Sequence, residues 1–595
     1  MSRAADAEPD LGTLPEWDLS DLYPGPESVE LANDFDRLAD DVAAFGKRHR
    51  GKVAELTAPA LARAIGEYER IEEGLGRISS YAQLLHAGDL NDADIGRFFQ
   101  NATERINGIS AEVLFFTLEI NRIDDADIER LLSDGVLARY AAWIRNTRLF
   151  RDHQLGDDLE RLLHDKEVAG RGAWVRLFDE TSAALRFDID GKRLTSQEAL
   201  HLLSHRDETV RGAAARELGR VFGDNIRLFA LIANTLAKDK EIEDRWRGYP
   251  APSSARHLAN QVEPEVVEAL AAAVKDAYPR LSHRYYRLKA DWLGKERLTH
   301  WDRNAPLPDD DDRSIPWDRA VGIVLDAYRA FSGELADFGR RFFDHAWIDA
   351  PVRPGKAGGA FAHPTVPSAH PYLLLNYQGK TRDVMTLAHE LGHGVHQLLA
   401  APRGALLADA PLTLAETASV FGEQLAFRAL LDGESEVGRR RAMLAGKVED
   451  AINTVVRQVA FYEFERRLHE ERRGGELSAE RIGEIWLEVQ GASLGPSFAF
   501  DEGYRHYWSY IPHFIHSPFY VYAYAFGDCL VNALYAVYLD GAPDFEGKYL
   551  DMLRAGGTLR HRELLAPFGL DASRPDFWSR GLDVVAGFID ELEAG

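Results

Sequence analysis

Apolar residues recur at spacings of three and four along most of this chain, and this helical period restricts the possible folds more than any other feature. The pattern is clear in residues 28–45 (SVELANDFDRLADDVAAF). It is equally clear in a second, longer segment, residues 209–239. Strand patterns are few. Alternation on both sides of Asp190-Gly191 predicts a hairpin, and HPYLLLNYQGK (370–380) predicts another strand. We therefore expect a mainly α fold with a small β-sheet.

Length and composition indicate the number of domains and the classes of partner. At 595 residues the chain is too long for one core, and we divide it into a helical N-terminal domain (1–200) and a larger helical catalytic domain (201–595). The formal charge of −26 disfavours nucleic acid and anionic membranes. One cysteine, no apolar N-terminal segment and no run of 18 apolar residues predict a cytoplasmic protein. The sequence does not indicate an oligomeric state.

The stretch TLAHELGHGVHQ (386–397) contains the most specific chemical motif. His389 and His393 are four residues apart, so on a helix their imidazoles project from one face and can bind one ion. Glu390 lies between them, where it can take a proton from a water at that ion. This H-E-x-x-H spacing is typical of zinc hydrolases. His396 follows one turn later, and we expect it to support the site rather than bind the metal.

A catalytic zinc site needs three protein ligands and an open position, so a third ligand must come from another element. A second helix is predicted to begin after Pro411, and Glu416 lies near its start, 23 residues after His393. Thr413 and Glu416 also match a T-x-x-E capping box, which leaves a purely structural role open. Glu423 falls on the same helical face, as a backup ligand or a partner that orients a histidine. Asp409 is a weaker candidate.

Several stretches resemble the oligoendopeptidase F branch of the thimet oligopeptidase-like superfamily of zinc metallopeptidases. They are PYLLLNYQGKTRDVMTLAHELGHGVHQ, LTLAETASVFGEQ, WDLSDLYPGPESV and IPHFIHSPFYVYAYAFG. The resemblance implies His389, His393 and Glu416 as ligands of one zinc ion per chain, with Glu390 as the catalytic base. It also implies two helical lobes around a deep channel that admits short peptides, with the small sheet next to the zinc helix.

Residues 504–524 (YRHYWSYIPHFIHSPFYVYAY) hold six tyrosines and three histidines. Tyr504, Tyr507 and Tyr510 recur at helical spacing, which suits an aromatic core. So many polar-tipped rings also suit a channel that offers peptide groups to bind. The resemblance assigns catalytic contacts to His513, Tyr520, Tyr522 and Tyr524, with Tyr522 and Tyr524 as the expected oxyanion donors. His506 and His516 are lower-ranked alternatives.

The strand before the zinc helix is a candidate for substrate binding. An extended peptide can add to a free strand edge through main-chain hydrogen bonds. On this basis we predict substrate contacts at Tyr372, Leu373, Leu374, Leu375 and Asn376. The preceding segment GKAGGAFAH (355–363) is expected to be a loop close to substrate.

These residues predict a zinc-dependent endopeptidase that hydrolyses internal peptide bonds of oligopeptides by metal-activated water with a glutamate base. Two alternatives remain open. A zinc carboxypeptidase of similar helical fold would need a cationic group for the substrate's terminal carboxylate, and Arg382, Arg457 and Arg505 are available. The second alternative is a non-enzymatic peptide-binding protein, which the intact Glu390 disfavours.

Overall fold

A computed structural model describes residues 10–167, 169–307 and 314–594 of the chain. The fold is mainly α-helical with a few short strands, which confirms the predicted class. No helix in these ranges combines the length and the apolar character needed to cross a bilayer.

The elements follow one another in long helical runs. The first run is α1 (Val29–His49), α2 (Ala58–Gly88), α3 (Ala93–Ala111), α4 (Leu114–Arg122), α5 (Asp125–Leu132) and α6 (Ala141–Thr147). The second is α7 (Asp157–Glu167), α8 (Arg171–Ala184), β1 (Phe187–Ile189), β2 (Lys192–Leu194), α9 (Ser196–His201), α10 (Glu208–Arg247), α11 (Ser254–Ala259), α12 (Pro264–Ala277), α13 (Ser282–Trp292) and β3 (Leu298–Thr299).

The second half of the chain continues the helical pattern. It contains α14 (Trp317–Phe331), α15 (Gly333–Asp344), β4 (Ile348–Asp349), β5 (Phe361–His363), β6 (Tyr372–Leu374), α16 (Thr381–Ala400), α17 (Leu412–Ala415) and α18 (Thr417–Asp432). There follow α19 (Val437–Ala451), a π-helical segment (Ile452–Val456), α20 (Arg457–Arg473), α21 (Ala479–Leu494), β7 (Phe498–Ala499), a 3-10 helix (Glu502–Tyr510), α22 (His513–His516), α23 (Tyr522–Leu539), α24 (Phe545–Arg554), α25 (His561–Leu565) and α26 (Pro575–Ala594).

The chain divides into two compact units, each assembled from three segments. Unit 1 comprises Met1–Arg151, Asp312–Gly433 and Asp540–Gly569. Unit 2 comprises Asp152–Asp311, Glu434–Leu539 and Leu570–Gly595. This division differs from the predicted boundary at residue 200, which lies inside unit 2. Helical periodicity shows where helices are but not which later segments return to pack on earlier ones.

Each unit has its own interior. In unit 1 the buried faces of α1 to α6 form one apolar cluster that also includes Tyr372 and Leu407 from later segments. In unit 2 the 40-residue helix α10 contributes buried residues along its length, among them Leu218 and Phe229. The β1–β2 hairpin is as predicted, because Asp190 and Gly191 both adopt the positive φ that its tight turn requires.

The three-stranded sheet of unit 1 has the order β4-β6-β5, with β6 in the centre. Strand β6 pairs in parallel with β4 and antiparallel with β5. All three residues of β6 are buried, whereas those of β5 are partly exposed. Strand β5 also packs against α16, so the sheet lies next to the helix that carries the H-E-x-x-H motif.

Candidate functional site

Helix α16 presents the two motif histidines on one face. The Asp383 carboxylate accepts the backbone N–H groups of Gln378 and Lys380 at 2.9 and 3.0 Å, which closes the start of the helix. The opposite face is anchored by the fully buried side chains of Val384, Leu387, Leu391 and Val395. With that face fixed in the core, His389 and His393 are left partly accessible.

A close approach between α16 and α18 brings the third ligand to the histidines. A β-carbon at Gly392 would lie 2.5 Å from the Ala418 carbonyl oxygen, so only glycine allows the two backbones to touch. This contact explains a residue that costs a helix interior on the order of 1 kcal/mol relative to alanine. It also sets the N-terminal end of α18, with Glu416, against the His389 face.

His389, His393 and Glu416 converge on one point. The Nε2 atoms of both histidines lie 3.4 Å from the same Glu416 oxygen, Oε2. The three ligand atoms lie within 4.8 Å of one another. Two ligand atoms about 2.1 Å from a tetrahedral zinc ion are about 3.4 Å apart, so these spacings suit zinc. The side chains retain 20 to 30% exposure, which leaves access for a water or substrate.

Glu416 occupies the N-cap position of α18, but its side chain forms no capping hydrogen bond there. Helix α17 begins after Pro411 without a side-chain capping hydrogen bond, and Thr413 lies within it rather than at its start. Glu416 stands between α17 and α18, where its carboxylate accepts a 2.6 Å hydrogen bond from the Ser419 hydroxyl. The predicted capping box is thus not at the start of α17, and the Glu416 carboxylate faces the histidines.

The cluster is strongly polarised. Burial opposes protonation of His389, but its hydrogen bond to Glu423 and the charges of Glu416 and Glu390 raise its pKa to about 9. Burial likewise opposes ionisation of Glu416, yet hydrogen bonding and charge from His393, with His389, lower its pKa to about 2. The two shifts are reciprocal, because the carboxylates favour the protonated form of His389 and the imidazolium charges favour the ionised form of Glu416. The carboxylates of Glu416, Glu390 and Glu423 would stabilise a cation bound at this point.

Glu390 is buried beside the cluster. Burial is the largest influence and raises its pKa, with the charge of Glu416 acting in the same direction. The positive charges of His389 and His393 and the backbone of Ala362, in β5, oppose the rise. A carboxylate whose pKa moves towards neutrality is well matched to proton transfer.

The residues predicted to support the ligands occupy distinct positions. Glu423 Oε2 lies 3.2 Å from His389 Nδ1, and this contact orients the ring so that Nε2 faces Glu416. His396 is buried, which lowers its pKa to about 4 against the opposing effect of backbone groups at Ala415 and Leu553. Asp409 is not part of the cluster found among the described residues.

The predicted substrate strand requires a correction. Tyr372, Leu373 and Leu374 form β6, whose two edges are already paired with β4 and β5, so no peptide can add to it. Leu375 is held by Asp349, whose carbonyl accepts its N–H, and Asn376 donates to the carbonyls of Ala357 and Gly359. These five residues are structural. The sheet order makes β5 an edge strand, and it lies within the segment expected to be a loop.

The tyrosine- and histidine-rich segment lies in unit 2 and contains two kinds of ring. His513, Tyr520 and Tyr524 are partly exposed and adjacent, with His513 Nε2 3.4 Å from the Tyr524 hydroxyl and a 5.3 Å centroid separation between the two tyrosines. Tyr522 differs. Its buried hydroxyl accepts a hydrogen bond from the Asn260 side chain at 2.9 Å and lies 3.1 Å from His257 Nδ1.

The remaining rings of this segment have structural partners. The Tyr504 hydroxyl lies 3.1 Å from Gln490 Oε1, and Tyr507 donates to the Ala215 carbonyl at 2.8 Å. His516 lies 2.8 Å from the Asp179 carboxylate. The ring of His506 packs against Gly223 of α10.

The sequence matches two family models. Residues 326–584, which contain α16 and α18, match the model of Peptidase family M3, and residues 119–187 match the model described as Oligopeptidase F. Together these matches span more than half of the chain. The chain belongs to peptidase family M3. The resemblance noted from its motifs is thereby confirmed, and the coarse activity follows, since members of the family are peptidases.

Several relatives align with this M3 peptidase over nearly its whole length. Oligopeptidase PepF of Bacillus subtilis is 25% identical over 97% of this chain and 86% of its own. An oligoendopeptidase F homologue of Borreliella burgdorferi is 25% identical over 97% of this chain and 98% of its own. Among solved structures, oligoendopeptidase-F of Enterococcus faecium has the same fold, with a TM-score of 0.71 at 23% identity over 95% of this chain and 98% of its own.

Sequence reasoning did not identify every residue that shapes this M3 site. Ser419, hydrogen-bonded to Glu416, lies three residues after it on the next helical turn, and that spacing was a usable signal. Strand β5 is only three residues long and follows a glycine-rich stretch, so alternation could not identify it.

Proposed function

We propose that this M3 peptidase is a zinc-dependent endopeptidase that cleaves internal bonds of oligopeptides. The observation that supports the proposal is the convergence of His389, His393 and Glu416 within 4.8 Å, with Glu390 buried beside them. Two imidazoles and one carboxylate with an accessible side form the ligand set of catalytic rather than structural zinc sites.

The three ligands fit a resident zinc ion in number, atom type and spacing. When bound, zinc supplies a Lewis acid that polarises the scissile carbonyl and makes a water molecule acidic near neutral pH. Glu423 holds His389 through Nδ1, which leaves Nε2 as the coordinating nitrogen. Ser419 holds the Glu416 carboxylate in the same way.

Glu390 is the proposed general base and then general acid. Its carboxylate takes the proton from the attacking water and passes it to the leaving amine. Its raised pKa favours both transfers, because the group binds a proton more readily than an exposed carboxylate and still releases it.

Two further roles complete the proposal. The exposed edge of β5, whose Ala362 backbone influences Glu390, would receive an extended peptide by strand addition. The resemblance assigns hydrogen-bond donation to the tetrahedral intermediate to His513, Tyr520 and Tyr524. Tyr522 is left out, since its hydroxyl is buried and already engaged by Asn260.

The proposed base is tested by Glu390→Gln, which keeps the shape and removes the proton acceptor. We expect kcat/KM for an internally quenched peptide to fall by about 10² to 10⁴, the range for loss of a general acid-base group, at unchanged zinc content. Asp409→Asn is the matched control, because this carboxylate lies outside the cluster, and it should keep both zinc and activity. Full activity in Glu390→Gln would contradict the mechanism.

The products distinguish an endopeptidase from the alternatives. Peptides blocked at both ends should be cleaved internally, with both fragments several residues long when identified by mass spectrometry. Stepwise release of single C-terminal residues would instead indicate the carboxypeptidase. Binding of the same peptides without cleavage by the zinc-loaded protein would indicate a peptide-binding protein.

A further inference from the structure

A tight turn in unit 2, residues 517–520, lies between α22 and α23. The Ser517 carbonyl accepts the Tyr520 N–H at 3.1 Å, which closes the turn, and proline occupies its second position. The third residue, Phe519, has a φ of 58°, a left-handed conformation that glycine normally supplies. A bulky side chain at such a φ costs free energy, so neighbouring contacts must hold the backbone in this form.

Glu465 of α20 supplies one of these contacts. Its Oε1 atom accepts the Phe519 N–H at 2.9 Å, while Oε2 is buried without a hydrogen-bond partner among the described residues. The cavity beside it has mostly apolar walls, which include Phe464, Leu468 and Ile515. Burial raises the pKa of this carboxyl to about 8, so near pH 7 it is a neutral acceptor. A buried carboxyl with so few partners is costly, and its bond to the turn is what an apolar side chain could not replace.

The Phe519 ring anchors the turn against the same helix. It is fully buried, and its centroid lies 4.9 Å from that of the His469 ring and 6.1 Å from that of the Tyr462 ring. Both rings belong to α20, as does Glu465. Helix α20 therefore holds the left-handed residue by its backbone and by its side chain. Glycine would adopt the same φ without strain but would lose the anchoring ring.

Arg256 of α11 contacts the turn from another element. Its Nε donates to the Pro518 carbonyl at 3.3 Å, and its guanidinium carbon lies 5.6 Å from the centroid of the Tyr520 ring. Tyr520 is partly exposed, and its ring centroid lies 5.3 Å from that of Tyr524 and 6.3 Å from that of His513. The conformation of the turn thus determines where the Tyr520 ring lies among these exposed rings.

We propose that Glu465, Phe519 and Arg256 are positioning residues, which fix the turn so that the Tyr520 hydroxyl is in place before substrate binds. The inference concerns contacts within unit 2, and its importance for catalysis rests on the proposed function, in which Tyr520 donates to the tetrahedral intermediate. Donors stabilise a transition state most when they are already in position. The acceptor at residue 465 needs no charge, so we expect glutamine, but not leucine, to replace it.

Fluorine NMR of a fluorotyrosine incorporated at residue 520 alone reports the position of this ring directly. We expect one sharp resonance in the wild-type background and in Glu465→Gln, and a shifted or broadened resonance in Glu465→Leu and in Arg256→Met. Glu470→Leu is the matched control, because this exposed carboxylate of α20 pairs with Arg466 at 3.0 Å, and it should keep the wild-type resonance. A wild-type resonance in both Glu465→Leu and Arg256→Met would overturn the inference.

Kinetics of a quenched peptide measure the consequence for catalysis. We expect Tyr520→Phe to lower kcat by about 10² or more, as for loss of an oxyanion donor. Glu465→Leu should lower kcat by about tenfold or more with KM little changed, whereas Glu465→Gln should retain kcat within about twofold. Added to Tyr520→Phe, Glu465→Leu should change kcat by about twofold or less, because the hydroxyl that it positions is already gone. An equal loss in both backgrounds would contradict the positioning role.

The two measurements separate this inference from the proposed function. Shifted resonances in Glu465→Leu and Arg256→Met would support the positioning even if the protein does not hydrolyse peptides. Hydrolysis by the wild type, with an unmoved resonance in both variants, would overturn the positioning and leave the peptidase proposal standing. Arg256 is partly exposed, so Arg256→Met provides the test if Glu465→Leu does not fold.

Discussion

At the scale of single residues, Glu423 has the most testable supporting role. Its carboxylate lies 3.2 Å from His389 Nδ1, which leaves Nε2 facing Glu416 as the proposed ligand atom. We expect Glu423→Gln to weaken zinc binding by about 10- to 100-fold, as found for outer partners of metal-binding histidines. Competition with a chromophoric chelator measures this directly, and activity should return at saturating zinc. An unchanged zinc affinity would show that Glu423 does not orient the ligand.

Individual residues also show what the sequence could and could not predict. The positions of His389, Glu390 and His393 follow from helical geometry, and Glu416 follows from the need for a third ligand. The role of Glu416 was open because T-x-x-E suits a cap equally well, and in the structure Thr413 lies inside α17 rather than at its N-cap. The misplaced contacts at Tyr372 to Asn376 have another cause. A short strand does not reveal whether its edges are free until its partners are known.

At the scale of elements, the contact between α16 and α18 holds the three proposed ligands together. We expect Gly392→Ala to destabilise the protein and to weaken zinc binding, because the added methyl would meet the Ala418 carbonyl at 2.5 Å. This clash outweighs the helix-propensity gain of up to about 1 kcal/mol. Gly446→Ala in α19 is the matched control, since its β-carbon meets nothing within 4 Å and it should stabilise. Thermal unfolding and zinc titration measure both, and stabilisation by Gly392→Ala would refute the close packing.

The stability of the folded protein is expected to depend on pH through Glu465, which holds the loop between α22 and α23. Glu465 of α20 accepts the Phe519 N–H at 2.9 Å, and complete burial raises the pKa of Glu465 to about 8. The folded protein thus retains a proton that the unfolded chain releases above its ordinary pKa of about 4.5. Its contribution to stability is complete below pH 4.5, is lost progressively as pH rises, and levels off above pH 8.

Glu465→Gln isolates this contribution, because glutamine can still accept from Phe519 and does not ionise. We expect the wild type to lose stability relative to the variant by on the order of 1 kcal/mol per pH unit within that window. Melting temperatures of both proteins between pH 5 and pH 9 provide the measurement. A difference that does not change with pH would show that Glu465 is not protonated in the folded state.

At the scale of the whole molecule, each unit is built from three separate segments of the chain. Helices, the hairpin and the mainly α class were predictable because they follow from local spacing. The division into units was not, since it depends on which distant segments share a core, as Tyr372 and Leu407 do with α1 to α6. The candidate metal cluster lies in unit 1, and the tyrosine- and histidine-rich segment lies in unit 2.

The central claim is that this M3 peptidase holds one zinc ion through His389, His393 and Glu416. Elemental analysis of the purified protein beside its His389→Ala variant tests it most directly. We predict one zinc per wild-type chain and loss of that zinc, with the hydrolytic activity, in the variant. A full complement of zinc in His389→Ala, or hydrolysis by a wild-type protein stripped of metal, would contradict the account.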